Sequence, residues 1–173
     1  MYAIFTDGSV DPKLKIGYGA CLIIEEISLS SSSSKSLYDQ VNTKKFDHTS
    51  SSALEVETLL WALQMFLDQS PSIPSNQGPP KVSIYTDSQT IINLPNRRAH
   101  LEKTGYRNQK QTIIKHREKY QLFFKLIDQI DYQLIQVQGH TKVSQKTKID
   151  RIFSYVDQAS RRALRAYRKS APF

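Results

Sequence analysis

The sequence predicts an α/β fold in which one mixed sheet is covered by helices, and three observations carry that expectation. Short apolar segments with turn residues between them open the chain. A longer segment before the midpoint repeats apolar residues at helical spacing. The remainder alternates between strand-like and helix-like segments, which implies a parallel strand pair joined by a right-handed crossover.

Taken in order, Tyr2 to Thr6 and Tyr18 to Glu25 are apolar runs separated by Asp11-Pro12-Lys13 and two glycines, a hairpin pattern. Ser28 to Ser36 is serine-rich and reads as a flexible loop, with Val41 to Phe46 as a third strand. From Ala53 to Leu67, the apolar residues Leu54, Leu59, Leu60, Leu63 and Phe66 recur at helical spacing, and the serines upstream can cap the first turn. Residues 71–80 hold four prolines and one glycine, a linker loop leading to the strand Lys81 to Thr86. Ser88 to Asn93 reads as a short helix that Pro95 breaks. A basic stretch follows, then a helix from about Lys115 to Gln129, a strand from Tyr132 to Gln138 and a last helix from about Ile149 to Lys169. The order β-β-β-α-β-α-α-β-α contains no repeat and no second core, so residues 1–173 are expected to form one domain.

Composition narrows the class. With 39% hydrophobic and 10% aromatic residues, a chain of 173 can bury a core without disulfides or a structural metal. Cys21 lies in the apolar run Ala20-Cys21-Leu22-Ile23-Ile24 and reads as a buried, inert thiol. No apolar run approaches the roughly 18 residues of a membrane helix, and Met1-Tyr2-Ala3-Ile4 leads to Asp7 without a basic leader or cleavage site. A soluble, cytoplasmic monomer is expected, with no protein partner inferable. The formal charge of +8 concentrates in two stretches: residues 96–119 carry eight basic and two acidic side chains, and residues 142–173 carry nine and two. Such clustering suits a polyanion; a merely solvated surface fits the charge equally well.

Three carboxylates are expected to meet. Asp7 ends the first strand, Asp87 ends the strand after the prolines, and Glu55 lies in the first turn of the long helix. Ligands of α/β sheets collect at the carboxyl ends of strands. Singly, each Asp reads as a turn former or cap. Together they ask for cations, and Mg²⁺ suits a loose group of carboxylates facing a basic surface, because it takes oxygen ligands and also binds phosphate. Two such ions about 4 Å apart can serve phosphodiester cleavage. Glu57, two positions from Glu55, points elsewhere on the helix and is read as solvated.

Phe5-Thr6-Asp7-Gly8-Ser9 followed by Gly17-Tyr18-Gly19-Ala20 resembles the first hairpin of type 1 ribonuclease H, and Tyr85-Thr86-Asp87-Ser88-Gln89 resembles its third acidic motif. Leu54-Glu55 with Ala62-Leu63 is similar to the helix bearing the family's glutamate. Val137-Gln138-Gly139-His140 resembles the final strand and histidine loop, and Val156-Asp157-Gln158-Ala159-Ser160-Arg161 the closing helix. Five motifs in family order are a specific signal. The resemblance implies a ribonuclease H-like fold, with three antiparallel strands followed by two parallel ones in a five-stranded mixed sheet. It also implies an endonuclease that hydrolyses the RNA strand of RNA/DNA hybrids with two Mg²⁺ ions, or Mn²⁺, held by Asp7, Glu55, Asp87 and a fourth acid. His140 would move a proton or aid product release.

The fourth acid has two candidates. An ungapped count from His140 favours Asp150, whereas the residues around Asp157 fit the closing helix better and make residues 141–148 an expanded loop. The two lie on one helical face about 10 Å apart along the axis, so both cannot fill one position. Asp157 is preferred, with Asp150 as the alternative and, in its plainer reading, a favourable charge at a helix start. Residues 96–114 resemble the basic handle that grips hybrid in some members, so Arg97, Arg98, Lys103 and Arg107 join Ser9, Ser52 and Gln89 as expected nucleic-acid contacts. Serines at 50–52 stand where relatives have longer polar side chains. Two other readings compete: a DNA-processing nuclease of the same fold, of transposase or resolvase type, and a binding module without catalysis.

Overall fold

The computed structural model describes residues 1–31, 34–69, 78–138 and 147–170. Strands β1 (Tyr2–Asp11), β2 (Ile16–Glu25), β3 (Asn42–Phe46), β4 (Lys81–Thr86) and β5 (Asp131–Gln136) form one sheet in the order β3-β2-β1-β4-β5. β1 to β3 pair antiparallel, while β1–β4 and β4–β5 are parallel. This is the mixed sheet that the sequence predicts.

The alternation of strand side chains explains the layers. Ile4, Cys21, Val82 and Ile84 face α3 (Ser51–Gln69), α4 (Gln89–Lys103) and α5 (Arg117–Ile127), whereas Ala3, Phe5, Ala20, Leu22 and Tyr85 face α6 (Lys148–Ser170). Phe5 and Tyr85, paired across β1 and β4, stack at 4.4 Å. Cys21 is fully buried, and burial pushes its thiol up to about 12, which fits an inert core residue.

Four local expectations are corrected. The first hairpin is longer than its apolar runs: Asp11 Oδ1 accepts from the backbone N–H of Lys13 and Leu14, closing the turn and letting the ladder run to Asp11↔Ile16. Asp7 therefore lies within β1 rather than at its end. The serine-rich segment is not a plain loop. It forms α1 (Glu26–Ser31) and α2 (Ser34–Asp39), with residues 32–33 outside the described residues, because Leu29 and Leu37 bury against the α6 side. Pro95 does not break its helix: α4 continues to Lys103, and burial of Ile91, Leu94 and Leu101 offsets the lost N–H. The handle-like segment is thus half helix. Its second half is a tight loop, entered through Gly105 at φ 58° and closed by Asn108 Oδ1, which accepts from Lys110 and Thr112. Lastly, Glu57 is not solvated but half-buried. It accepts from Thr49 Oγ1 at 2.6 Å and pairs with Lys119 at 3.2 Å, tying α3 to α5.

The linker at 71–80 falls mostly outside the described residues. Among the described residues, no helix is long and apolar enough to cross a membrane.

Candidate active site

The parallel ladder of β1 and β4 ends at Phe5↔Tyr85, so Asp7 and Asp87 each stand two residues past the same rung. Here β4 gives way to α4 while β1 runs on beside β2, opening the sheet at its carboxyl edge. Asp87 is exposed, in a junction fixed by Ser88: the serine N–H donates to Thr86 Oγ1, and its Oγ accepts from Ile91 N as the cap of α4.

Glu55 comes from above the sheet, and three glycines let it approach. A Cβ on Gly8 or Gly17 would lie 2.8 or 2.7 Å from Leu54, and one on Gly19 only 2.2 Å from Thr58 Oγ1. The first turns of α3 therefore rest on bare backbone of the hairpin. Glu55, half-buried, accepts from Ser88 Oγ at 2.5 Å, so one serine orients the glutamate and caps the helix that follows Asp87.

From the opposite side α6 supplies Asp157, ion-paired with Arg161 at 2.6 Å. The Ser160 hydroxyl, fully buried, lies 2.9 Å from the Asp157 carbonyl, 3.1 Å from Ser9 Oγ and 3.4 Å from Asp7 Oδ2. It joins α6 to β1 at the site. Asp7, Glu55, Asp87 and Asp157, with Ser9, Gln158 and Arg161, line one cavity of about 270 Å³. Burial, and then the charges of Asp87 and Asp157, push the Asp7 carboxyl up to about 7.

Asp150 does not line this cavity. It accepts from the N–H and hydroxyl of Thr147 at 2.8 and 2.7 Å while its own N–H donates to Thr147 Oγ1, a reciprocal cap at the start of α6. His140 lies outside the described residues. Of the expected nucleic-acid contacts, Ser9 is in the cavity, and Ser52, Gln89, Arg97, Lys103 and Arg107 are exposed. Gln89 accepts from Gln136, and Arg107 donates to the Gln111 carbonyl. Arg98, also among the expected contacts, is half-buried and paired within the protein. It makes a two-pronged pair with Asp128 at 2.5 and 2.8 Å, a bond to Glu102, and a contact over the Phe124 ring at 4.9 Å.

Ser88, Ser160 and Arg161 have contacts here that the sequence reading did not assign. The Asp157 to Arg161 spacing of one helical turn was a usable signal; the Ser160 contact with Ser9 depends on tertiary packing and left none.

The four acids offer carboxylate oxygens, and like charges press on a half-buried Asp7, which is the chemistry of a site for a hard divalent cation. Among the described residues no three such side chains close on one point tightly enough to hold an ion by themselves. A cation here would draw further ligands from water or phosphate, as Mg²⁺ does.

No curated protein matches the sequence. Among solved structures, the PFV (prototype foamy virus) RNase H domain is similar at 17% identity and a TM-score of 0.64, over 93% of this chain and 92% of that one. LC9-RNase H1, a type 1 RNase H with the type 2 active-site motif, gives 13% and 0.64 over 94% and 71%. The foamy viral protease-reverse transcriptase in complex with an RNA/DNA hybrid gives 13% and 0.57 over 92% of this chain and 19% of that one. At these identities the likeness establishes the fold. The sequence also matches the family model described as RNase H over residues 1–158, a span that includes all four carboxylates of the cavity, and the chain belongs to the RNase H family.

Proposed function

We propose that this chain is a metal-dependent endonuclease that hydrolyses the RNA strand of RNA/DNA hybrids, with Asp7, Glu55, Asp87 and Asp157 holding two Mg²⁺ ions, or Mn²⁺. One observation carries the reading: four carboxylates from β1, α3, the β4–α4 junction and α6 face one cavity. Family membership supports it, and one of the similar structures is of a protein in complex with RNA/DNA hybrid.

When bound, the divalent ions would supply water activation and charge neutralisation at the leaving oxygen. The chain's own residues prepare the cavity. Asp7 must give up a proton that its burial, and then its like-charged neighbours, make it keep near neutrality. Ser88 fixes the orientation of Glu55, and Arg161 holds Asp157 until a cation competes for it. Asp150, occupied in the helix cap, is the weaker choice as fourth acid. His140 is assigned proton transfer or product release through the family resemblance. Arg97, Lys103 and Arg107, exposed around α4 and its following loop, would meet phosphates, and Ser9, Ser52 and Gln89 would meet the backbone nearer the cavity.

A binding module without catalysis fits poorly, because an unused acidic cavity would repel the phosphates it is meant to hold. The test compares cleavage of a labelled hybrid by wild type and Asp87→Asn, each with Mg²⁺ and with chelator. Cleavage by wild type with Mg²⁺ alone is expected; near-normal turnover by Asp87→Asn would sink the assignment.

A further inference from the structure

The basic residues in the C-terminal half of α6 fall into two sets. Arg168 is spent on the hairpin, donating to Asp11 Oδ2 at 2.7 Å. Arg161, Arg162, Arg165 and Lys169 instead line a groove of about 670 Å³ between α6 and Tyr38 of α2. Steps of three and four residues put Arg162, Arg165 and Lys169 in one stripe along the helix. They are exposed, and among the described residues no carboxylate pairs with them. The stripe also lies beyond the family match, which ends at residue 158.

The groove is continuous with the carboxylate cavity. Asp157, Gln158 and Arg161 line both, so Arg161 stands at the point where the acidic end meets the basic one. From Asp157 to Lys169 the helix runs about 18 Å, long enough to meet more than one phosphate of an extended strand. Opposite the cations, half-buried Tyr38 is held edge-on by Tyr155 at 6.0 Å, which fixes an aromatic side chain in the groove wall. Cations in file with one fixed aromatic are the pattern of a single-strand site, in which phosphates track the charge and a base can stack.

We propose that the α2–α6 groove binds the cut strand where it continues past the hybrid as single-stranded RNA. The proposal rests on the hybrid-cutting reading, since the strand entering the groove is the one whose phosphate occupies the cavity. The charge complements a phosphate backbone, and the shared residues make the path continuous.

Fluorescence anisotropy tests it with hybrids whose paired RNA is 2′-O-methylated to prevent cleavage. They are compared blunt, with a single-stranded RNA tail at either end of the RNA strand, and with DNA tails on the DNA strand. An RNA tail at one end should tighten binding by about tenfold. The triple variant Arg162→Gln, Arg165→Gln, Lys169→Gln should lose that gain, and its salt slope on the tailed hybrid should fall by about 2, at about 0.7 per phosphate contact on a single strand. Binding and cleavage of the blunt hybrid should not change, and an unchanged melting temperature shows the variant folded. No gain from either RNA tail, an equal gain from the DNA tails, or a gain that survives in the variant overturns the proposal. Cleavage of unmodified blunt hybrid is scored in parallel. If it is cut but tails add nothing, the groove assignment alone fails; if it is not cut while the tail gain holds, the nuclease reading fails and the RNA groove stands.

Discussion

Charge neutralisation at Asp150 and at Asp157 changes the same atom in the same helix and should have opposite consequences. Asp157 lines the cavity and raises the proton affinity of Asp7. Asp157→Asn should cut turnover by roughly 100-fold or more, about 3 kcal/mol of transition-state stabilisation. It should leave the melting temperature unchanged or slightly higher, because the pair it loses with Arg161 is partly exposed and contributes no more than about 0.5 kcal/mol, while repulsion on Asp7 is relieved. Asp150 sits about 10 Å further along the helix, where a unit charge in water acts on the cavity with only about 0.4 kcal/mol, a factor of about two in rate. Its bonds to Thr147 hold the helix start, so Asp150→Asn should cost about 0.5–1 kcal/mol. For a chain of this length that is about 1–4 °C. Steady-state cleavage of a labelled hybrid and thermal melts of both variants read the two effects. Equal activity losses, or loss only in Asp150→Asn, would refute the assignment of Asp157.

Three further predictions follow from the geometry. Asp7 binds its proton more tightly folded than unfolded, so in chelator the native state loses stability as pH rises from about 4 through about 7; Asp7→Asn should melt higher than wild type at pH 8 and lose that advantage towards pH 4, and a lower melt at pH 8 would contradict the cause given. Gly19→Ala drives a Cβ into Thr58 and should cost about 1–3 kcal/mol by denaturant unfolding, whereas an unchanged midpoint would mean that α3 does not rest on the hairpin backbone. Arg98→Ala should lower the melting temperature by no more than about 4 °C without changing the salt slope of hybrid binding, while Arg97→Gln with Lys103→Gln should flatten the slope by about 1.8 and leave the melt alone.

The sheet and its helices were legible because their signals are local. Apolar periodicity marked α3, and the apolar strands of the hairpin marked β1 and β2, with strand ends only short by the turn that Asp11 organises. Expectation failed where burial overrode composition. Serines hid Leu29 and Leu37, whose packing against the α6 side makes helices of a loop-like stretch, and Pro95 hid a helix whose other apolar residues are buried. The carboxylates were legible one by one as motifs. Their convergence needed the shared β1–β4 rung and the glycines beneath α3, and the separation of Asp157 from Asp150 needed the Thr147 cap. Glu57 was misread because its partners Thr49 and Lys119 meet it only in three dimensions, and the Arg98 pair with Asp128, thirty residues away, was hidden for the same reason.

Hybrid-specific cleavage is read by incubating the protein and Mg²⁺ with RNA/DNA, RNA/RNA, DNA/DNA and single-stranded substrates of one sequence, each strand labelled separately. Cuts in the RNA strand of the hybrid alone are expected. Binding without cleavage, or cutting of a DNA strand, would contradict the proposed function.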